Sequence, residues 1–211
     1  MGFQCQQCLA CCQKYWITVL PQEASQEAEF LNLPLKTFIN DYCQLYLQLF
    51  PAGAGQKGLT IPASFVPQRI KEELEQKGFA LTNNFMVLPW LAFKRIKDNC
   101  IFLETQTALC IIHPVRPKQC ALFPFISLKE NEKDFQKLYP FCVGLKTGFM
   151  DTKKERAEQL ERVKAYFAKV KEKGFTQVWP LLPQKGKLFF KDELVTDLTQ
   201  EEFLQLIKPF Q

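Results

Sequence analysis

The sequence predicts an α+β fold, mostly helical with short strands and irregular loops organised around a multi-cysteine metal site. Three observations carry that expectation. Several stretches repeat apolar residues at helical spacing, most clearly between Asp151 and Lys173. The stretch from 85 to 125 is instead rich in β-branched residues, prolines and turns. Eight of the nine cysteines fall in two groups, one within residues 5–12 and the other within residues 100–142. A hydrophobic content of 47% over 211 residues is enough to bury a real core, and 13% aromatic residues, with twenty Phe, argues against disorder.

Element by element, "WITVLP" (16–21) reads as a short strand that ends at Pro21, a residue suited to the first turn of a helix. Glu23, Glu27 and Glu29 favour the early turns of that helix, with Ala24, Ala28 and Leu31 at helical spacing. Pro34 then starts a second helix, "PLKTFINDYCQLYLQLF", with a stripe of Leu35, Phe38, Ile39, Tyr42, Leu45, Tyr46 and Leu49 that takes in Cys43 as a small buried hydrophobe. "PAGAGQKG" (51–58) is a loop whose glycine spacing does not match a phosphate-binding loop. "PQRIKEELEQKG" (67–78) is a helix with Pro at its start and Gly at its end. Short strands and loops around a site are expected through residue 125. The helix from Asp151 to Lys173 places Ala157, Leu160, Val163, Phe167 and Val170 on one face and stops at Gly174. The tail suggests a strand pair and a short helix capped by Thr199, with Glu202 completing a capping box. The expected domains are residues 1–150, bearing the cysteine cluster, and 151–211, a helical extension packed on it.

Composition excludes several classes. The longest apolar stretch, "FMVLPWLAF" (85–93), is far too short to cross a membrane, and "MGFQCQQCLACC" lacks the features of a secretory signal. A cytoplasmic, reducing setting is expected, without membrane association. The formal charge of +5 is mild, and thiolates holding divalent ions would cancel most of it. A solvated face explains the basic helix 151–173 better than nucleic acid does, which leaves an unidentified protein partner open and nucleic acid disfavoured. No Ser-His-Asp set or paired carboxylates point to a hydrolase.

The cysteines carry the chemistry. Cys5, Cys8, Cys11 and Cys12 form a C-x2-C-x2-C-C run, a spacing that suits a shared metal and seldom a disulfide. Cys100, Cys110, Cys120 and Cys142 follow in "NCIFLE", "LCIIHPVRPKQC" and "YPFCVGLKTG". Eight is twice four, the thiolate count of a structural zinc site or a cubane iron–sulfur cluster. Adjacent side chains such as Cys11 and Cys12 diverge more easily into two sites than they chelate one ion. A C-x2-C-x2-C run wraps a large object naturally, which favours a 4Fe-4S iron–sulfur cluster slightly over zinc or mononuclear iron. His113, at C-x2-H spacing after Cys110, is expected to be a turn residue or hydrogen-bond donor rather than a ligand. Arg116, between Cys110 and Cys120, is a candidate to balance the negative charge of a thiolate site without ligating it, and Lys14 and Lys118 could assist.

These motifs resemble the CxxCxxCC, or YkgJ-like, cysteine cluster family. The resemblance rests on the opening run, Cys100 before Phe102 and Leu103, Cys110 before Ile112, Arg116 and Pro117, Cys120 before Phe123, Pro124 and Phe125, and Cys142 before Gly144 and Gly148. It spans roughly residues 3–150. Ala121 departs from the pattern, since a basic residue commonly follows that cysteine, and Cys43 and the tail lie outside it. The resemblance implies zinc or iron chelation. Some relatives are joined to protein-lysine methylation, but no S-adenosylmethionine signature stands in this chain. Two functional classes follow: a metal-bearing protein for redox sensing, electron transfer or support of a partner, or a metal-dependent enzyme with an open coordination position.

Overall fold

The computed structural model describes residues 6, 8–52, 59–81, 84–125, 135–146 and 152–210. Along the chain the elements are α1 (Ala10–Lys14), β1 (Thr18–Val19), α2 (Pro21–Phe30), α3 (Leu35–Tyr42), β2 (Cys43–Pro51), β3 (Thr60–Pro62), α4 (Gln68–Gln76) and β4 (Asn84–Phe93). There follow β5 (Arg95–Ile96), β6 (Asn99–Cys100), β7 (Leu103–Glu104), β8 (Leu109–Cys110), α5 (Lys118–Leu122), α6 (Phe135–Leu138), α7 (Lys153–Lys173), α8 (Phe175–Val178), β9 (Lys185–Phe190), β10 (Glu193–Thr199) and α9 (Gln200–Leu206). The fold is mixed helix and strand, as expected of an α+β protein. The multi-cysteine site expected to organise it is not assembled as such among the described residues.

The chain divides into two compact units, each made of two separate stretches of sequence: residues 1–33 with 93–165, and residues 34–92 with 166–211. In the second unit the strands lie in the order β4, β2, β9, β10, with β3 on β4. Strands β2 and β9 run parallel, pairing Leu45 with Gly186, Leu47 with Leu188 and Leu49 with Phe190. Here the structure corrects an expected element. The helix begun at Leu35 ends at Tyr42, and residues 43–51 form a strand. Leu45, Leu47 and Leu49 are all 0% exposed, and Cys43, Gln44 and Tyr46 on the same strand are buried too, the signature of a central strand covered on both faces. Over such a run helical and strand periodicity both fit the apolar positions, and sheet pairing decides. Cys43 is buried, as expected, but it opens the strand.

Gly186 is required where β9 meets β2. A Cβ there would lie 2.5 Å from the Leu45 Cβ and 2.8 Å from the Leu45 carbonyl oxygen. Strands β9 and β10 form the expected antiparallel pair. Thr199 caps α9: its hydroxyl accepts from the Glu202 N–H at 3.1 Å, while the Glu202 carboxylate accepts from the Thr199 N–H at 3.0 Å. Helix α4 and its terminating Gly78, at φ +74°, also match expectation. The buried face of α7 is turned by about one residue from the expected stripe. Ala157 is exposed and Leu160 and Phe167 are half-buried, whereas Gln159, Tyr166 and Val170 are buried. Tyr166 explains the rotation, because it stacks on Trp90 at 4.9 Å, donates to the Pro89 carbonyl at 2.8 Å and accepts from the Trp179 indole N–H at 3.2 Å. The loop expected at 51–58 lies outside the described residues from 53 onward.

The first unit holds α1, β1, α2, the small strand pairs and α5. Strands β5 and β6 pair Arg95 with Cys100 and Ile96 with Asn99, closed by Lys97 and Asp98 at φ 47° and 63°. Two consecutive left-handed residues make the tight turn whose twist suits a hairpin. Strands β7 and β8 pair Leu103 with Cys110. Residues 113–115 form a 3-10 turn leading to α5, which carries Cys120.

Candidate metal centre

Seven of the eight expected ligands can be located; Cys5 and the Gly148 of the last motif lie outside the described residues. Cys11 and Cys12 are on α1, Cys100 ends β6, Cys110 ends β8, Cys120 is on α5, and Cys8 and Cys142 are in the segments around α1 and after α6. Helix α1 packs against β6, which sets Cys11 and Cys12 beside the hairpin that bears Cys100. Three tethers hold this approach. The Arg95 guanidinium donates to the Tyr15 carbonyl at 3.2 Å and also to the carbonyls of Gln13 and Asp98, while lying over the Trp16 ring at 5.2 Å. Tyr15 packs against Phe123, Tyr139 and Phe141 with centroids 5.3–5.8 Å apart, joining the end of α1 to the segment between Cys120 and Cys142. The Gln119 side-chain oxygen accepts from the Thr18 N–H at 2.8 Å and from its hydroxyl at 2.9 Å, anchoring α5 to β1.

The thiols sense one another. Burial pushes Cys100 up to about 11; the nearby Cys110 and Cys11 add to the rise, while the Phe102 N–H and Arg95 oppose it. Burial of the Cys120 sulfur raises it well above an ordinary thiol, with Cys100, Cys11, Cys110 and Glu27 adding to the rise. Cys11 is raised first by its hydrogen bond to Cys12 and then by burial. Cys142 is raised by burial, with further contributions from Cys8 and Cys11. Cys11, Cys100, Cys110 and Cys120 therefore form one electrostatic neighbourhood, Cys8 and Cys142 another, and Cys11 belongs to both. Yet no three His, Cys, Asp or Glu side chains among the described residues stand arranged to hold an ion.

Arg116 is half-buried between Cys110 and Cys120, donates to the His113 carbonyl at 3.2 Å and lies against the His113 Nε2. Its charge lowers the Cys110 thiol, which burial otherwise raises. His113 is exposed on the 3-10 turn and is held below its ordinary value by lost hydration and then by Arg116.

Spacing arguments missed three residues. Arg95 is one, because nothing in "KRIKD" announces that its donors will reach back to α1. Glu23 and Glu27 are the others, read as helix-start charges but in fact 4% and 0% exposed. Glu23 accepts from the Leu20 N–H at 2.9 Å and from the Lys118 N–H at 3.1 Å, and pairs with Arg162 at 3.3 Å, so it fixes the first turn of α5. Among the described residues neither oxygen of Glu27 has a hydrogen-bond partner, and burial, with Glu23 beside it, pushes its carboxyl up to about 9. Their signal was weak but present: i, i+4 carboxylates on the same face as Ala24 and Ala28.

Residues 4–143 match the family model "CxxCxxCC: Putative zinc- or iron-chelating domain". The chain belongs to the CxxCxxCC family. No curated protein and no solved structure matches it significantly. The family model indicates zinc or iron chelation, and the donor set fits either ion. Thiolates suit both metals, and a buried carboxylate without a partner calls for a positive charge. Among the described residues no helix is long and apolar enough to cross a membrane.

Proposed function

We propose that the CxxCxxCC unit holds its metal through Cys5, Cys8, Cys11, Cys12, Cys100, Cys110, Cys120 and Cys142, as a 4Fe-4S cluster in the first instance and as zinc or mononuclear iron in the second, and that it serves redox sensing, electron transfer or a protein partner. The observation that supports this most is the packing of α1, which carries Cys11 and Cys12, against β6, which carries Cys100 about ninety positions later. When bound, such a cluster supplies one-electron chemistry, whereas zinc supplies structural cross-linking or Lewis acidity. The chain's own part is to gather thiols from distant parts of the sequence and to set Arg95 and Arg116 against the resulting negative charge.

The test is anaerobic purification of the full chain followed by iron, sulfide and zinc analysis. A broad absorbance near about 400 nm with matching iron and sulfide supports the cluster. Colourless protein with stoichiometric zinc overturns the cluster in favour of zinc. Protein with no metal at all overturns the reading entirely.

One observation favours a second reading, a metal-dependent enzyme. An open depression lined by Glu29, His113, Arg116 and Lys118 lies against the turn that joins Cys110 to Cys120. Its cations suit an anionic substrate group, and an open coordination position on the metal would be required. A metal coordinated fully by thiolates would dispose of it.

A further inference from the structure

Glu27 is unexplained by the cysteine pattern. Its neighbour one turn earlier on α2, Glu23, has the Leu20 and Lys118 N–H groups and Arg162 as partners. Glu27 is fully buried, and among the described residues both its oxygens are unpartnered. A carboxyl group in that condition needs either a proton or a cation, since it has lost its water and gained nothing in exchange. Helix α2 packs against the 113–115 turn, which separates Cys110 from Cys120, and the Glu27 charge reaches both of those thiols. The only charged group among the described residues that bears appreciably on Glu27 is Glu23, which has the same sign. A positive charge near Cys110 and Cys120 would therefore answer Glu27 as well as the thiols.

We propose that Glu27 gives a carboxylate oxygen to the metal bound by Cys110 and Cys120, making that side of the centre a mixed sulfur and oxygen site. The proposal rests on the metal-binding reading above. Zinc and iron both accept glutamate oxygen beside thiolate, and a harder donor in the set disfavours Cu(I), which an all-thiolate site would take. Glu23 acts as a positioning residue: its bond to the Lys118 N–H locks α5 against α2, so that Cys120 and Glu27 approach from opposed elements. The donors stand apart without an ion, but the Glu27 side chain has three rotatable torsions and can swing inward when one enters.

The experiment uses the full chain loaded with zinc(II) under anaerobic, reducing conditions. Zinc-edge X-ray absorption is expected to require an oxygen scatterer at about 2.0 Å besides sulfur at about 2.3 Å. Glu27→Gln should remove that oxygen and weaken zinc binding by about tenfold or more in competition with a chromophoric chelator. Infrared difference spectra of the unaltered chain should show a protonated carboxyl band replaced by a carboxylate band on zinc addition, and Glu27→Gln should lack the change. If that variant fails to fold, the absorption and infrared spectra of the unaltered chain decide. A sulfur-only shell, an unchanged carboxyl band, or a Glu27→Gln protein identical to the parent would overturn the proposal while leaving thiolate metal binding intact. Failure to bind zinc at all would overturn the proposal and the zinc form of the reading above, while the cluster form stands or falls on the iron and sulfide analysis.

Discussion

The two units of the chain are held together by different means. Residues 34–92 with 166–211 form a sheet whose central strands bury Leu45, Leu47, Leu49, Leu188 and Phe190 almost completely, with Phe38, Phe85 and Phe203 also fully covered. Residues 1–33 with 93–165 combine two-residue strands and five-residue helices with the longer α2 and most of α7, and bury Val19, Leu20, Phe102, Ile112 and Phe125. What that unit adds to its buried apolar residues is a set of polar tethers, Arg95, Gln119 and Glu23, and a collection of half-buried thiols. The lesson is that the sheet is stabilised by burial of hydrocarbon, which needs no ligand, whereas the thiol-bearing unit, if it holds the proposed ion, gains stability from it as well.

Removing the metal should separate them most sharply. A chelator strong enough to strip the ion, or Cys120→Ser, is expected to destabilise the thiol-bearing unit by about 4 kcal/mol or more, the value for a ligand held a thousandfold above its dissociation constant. Amide exchange should read this as lost protection over 93–125 and retained protection over 185–199. Equal loss in both stretches would erase the contrast. Next comes pH. In the metal-free chain Glu27 holds a proton that the unfolded chain has already released, because its carboxyl is raised from 4.5 to about 9 by burial and by Glu23. The folded state therefore binds the extra proton across that window, and stability should fall as pH rises from 4.5 to about 9 and level off above it. Glu27→Gln should flatten that slope in denaturant titrations. Leu47→Ala should cost about 2–5 kcal/mol through the sheet and leave metal stoichiometry unchanged. The smallest effect is expected of Thr199→Ala, about 1 kcal/mol from the lost cap, visible as a modest fall in Tm with metal content intact.

Much of the periphery was legible because it obeys local rules. Thr199 with Glu202, Pro21 at a helix start and Gly78 and Gly174 at helix ends each satisfy backbone groups within a few residues, so spacing alone reveals them. Residues 43–51 were misread because leucines at 45, 47 and 49 fit a helix stripe nearly as well as a strand, and only the partner β9, far along the chain, breaks the tie. The one-residue rotation of α7 has the same origin, since Tyr166 is drawn inward by Trp90 and Trp179. In the candidate site the cysteines announced themselves by spacing, whereas Arg95, Gln119 and Glu27 act on groups dozens of residues away or on none at all. A side chain that answers a distant group leaves no period to read.

The thiol-bearing unit is also split by a long insertion, with residues 34–92 belonging elsewhere. On a ribosome adding roughly 5–20 residues per second, Cys11 and Cys12 emerge several seconds before Cys100, Cys110 and Cys120 exist. During that interval two neighbouring thiols are exposed to oxidants, to stray copper and to each other. Nascent chains held in a reducing medium should therefore mature fully, while a brief oxidative pulse during synthesis should do harm that the same pulse after completion does not.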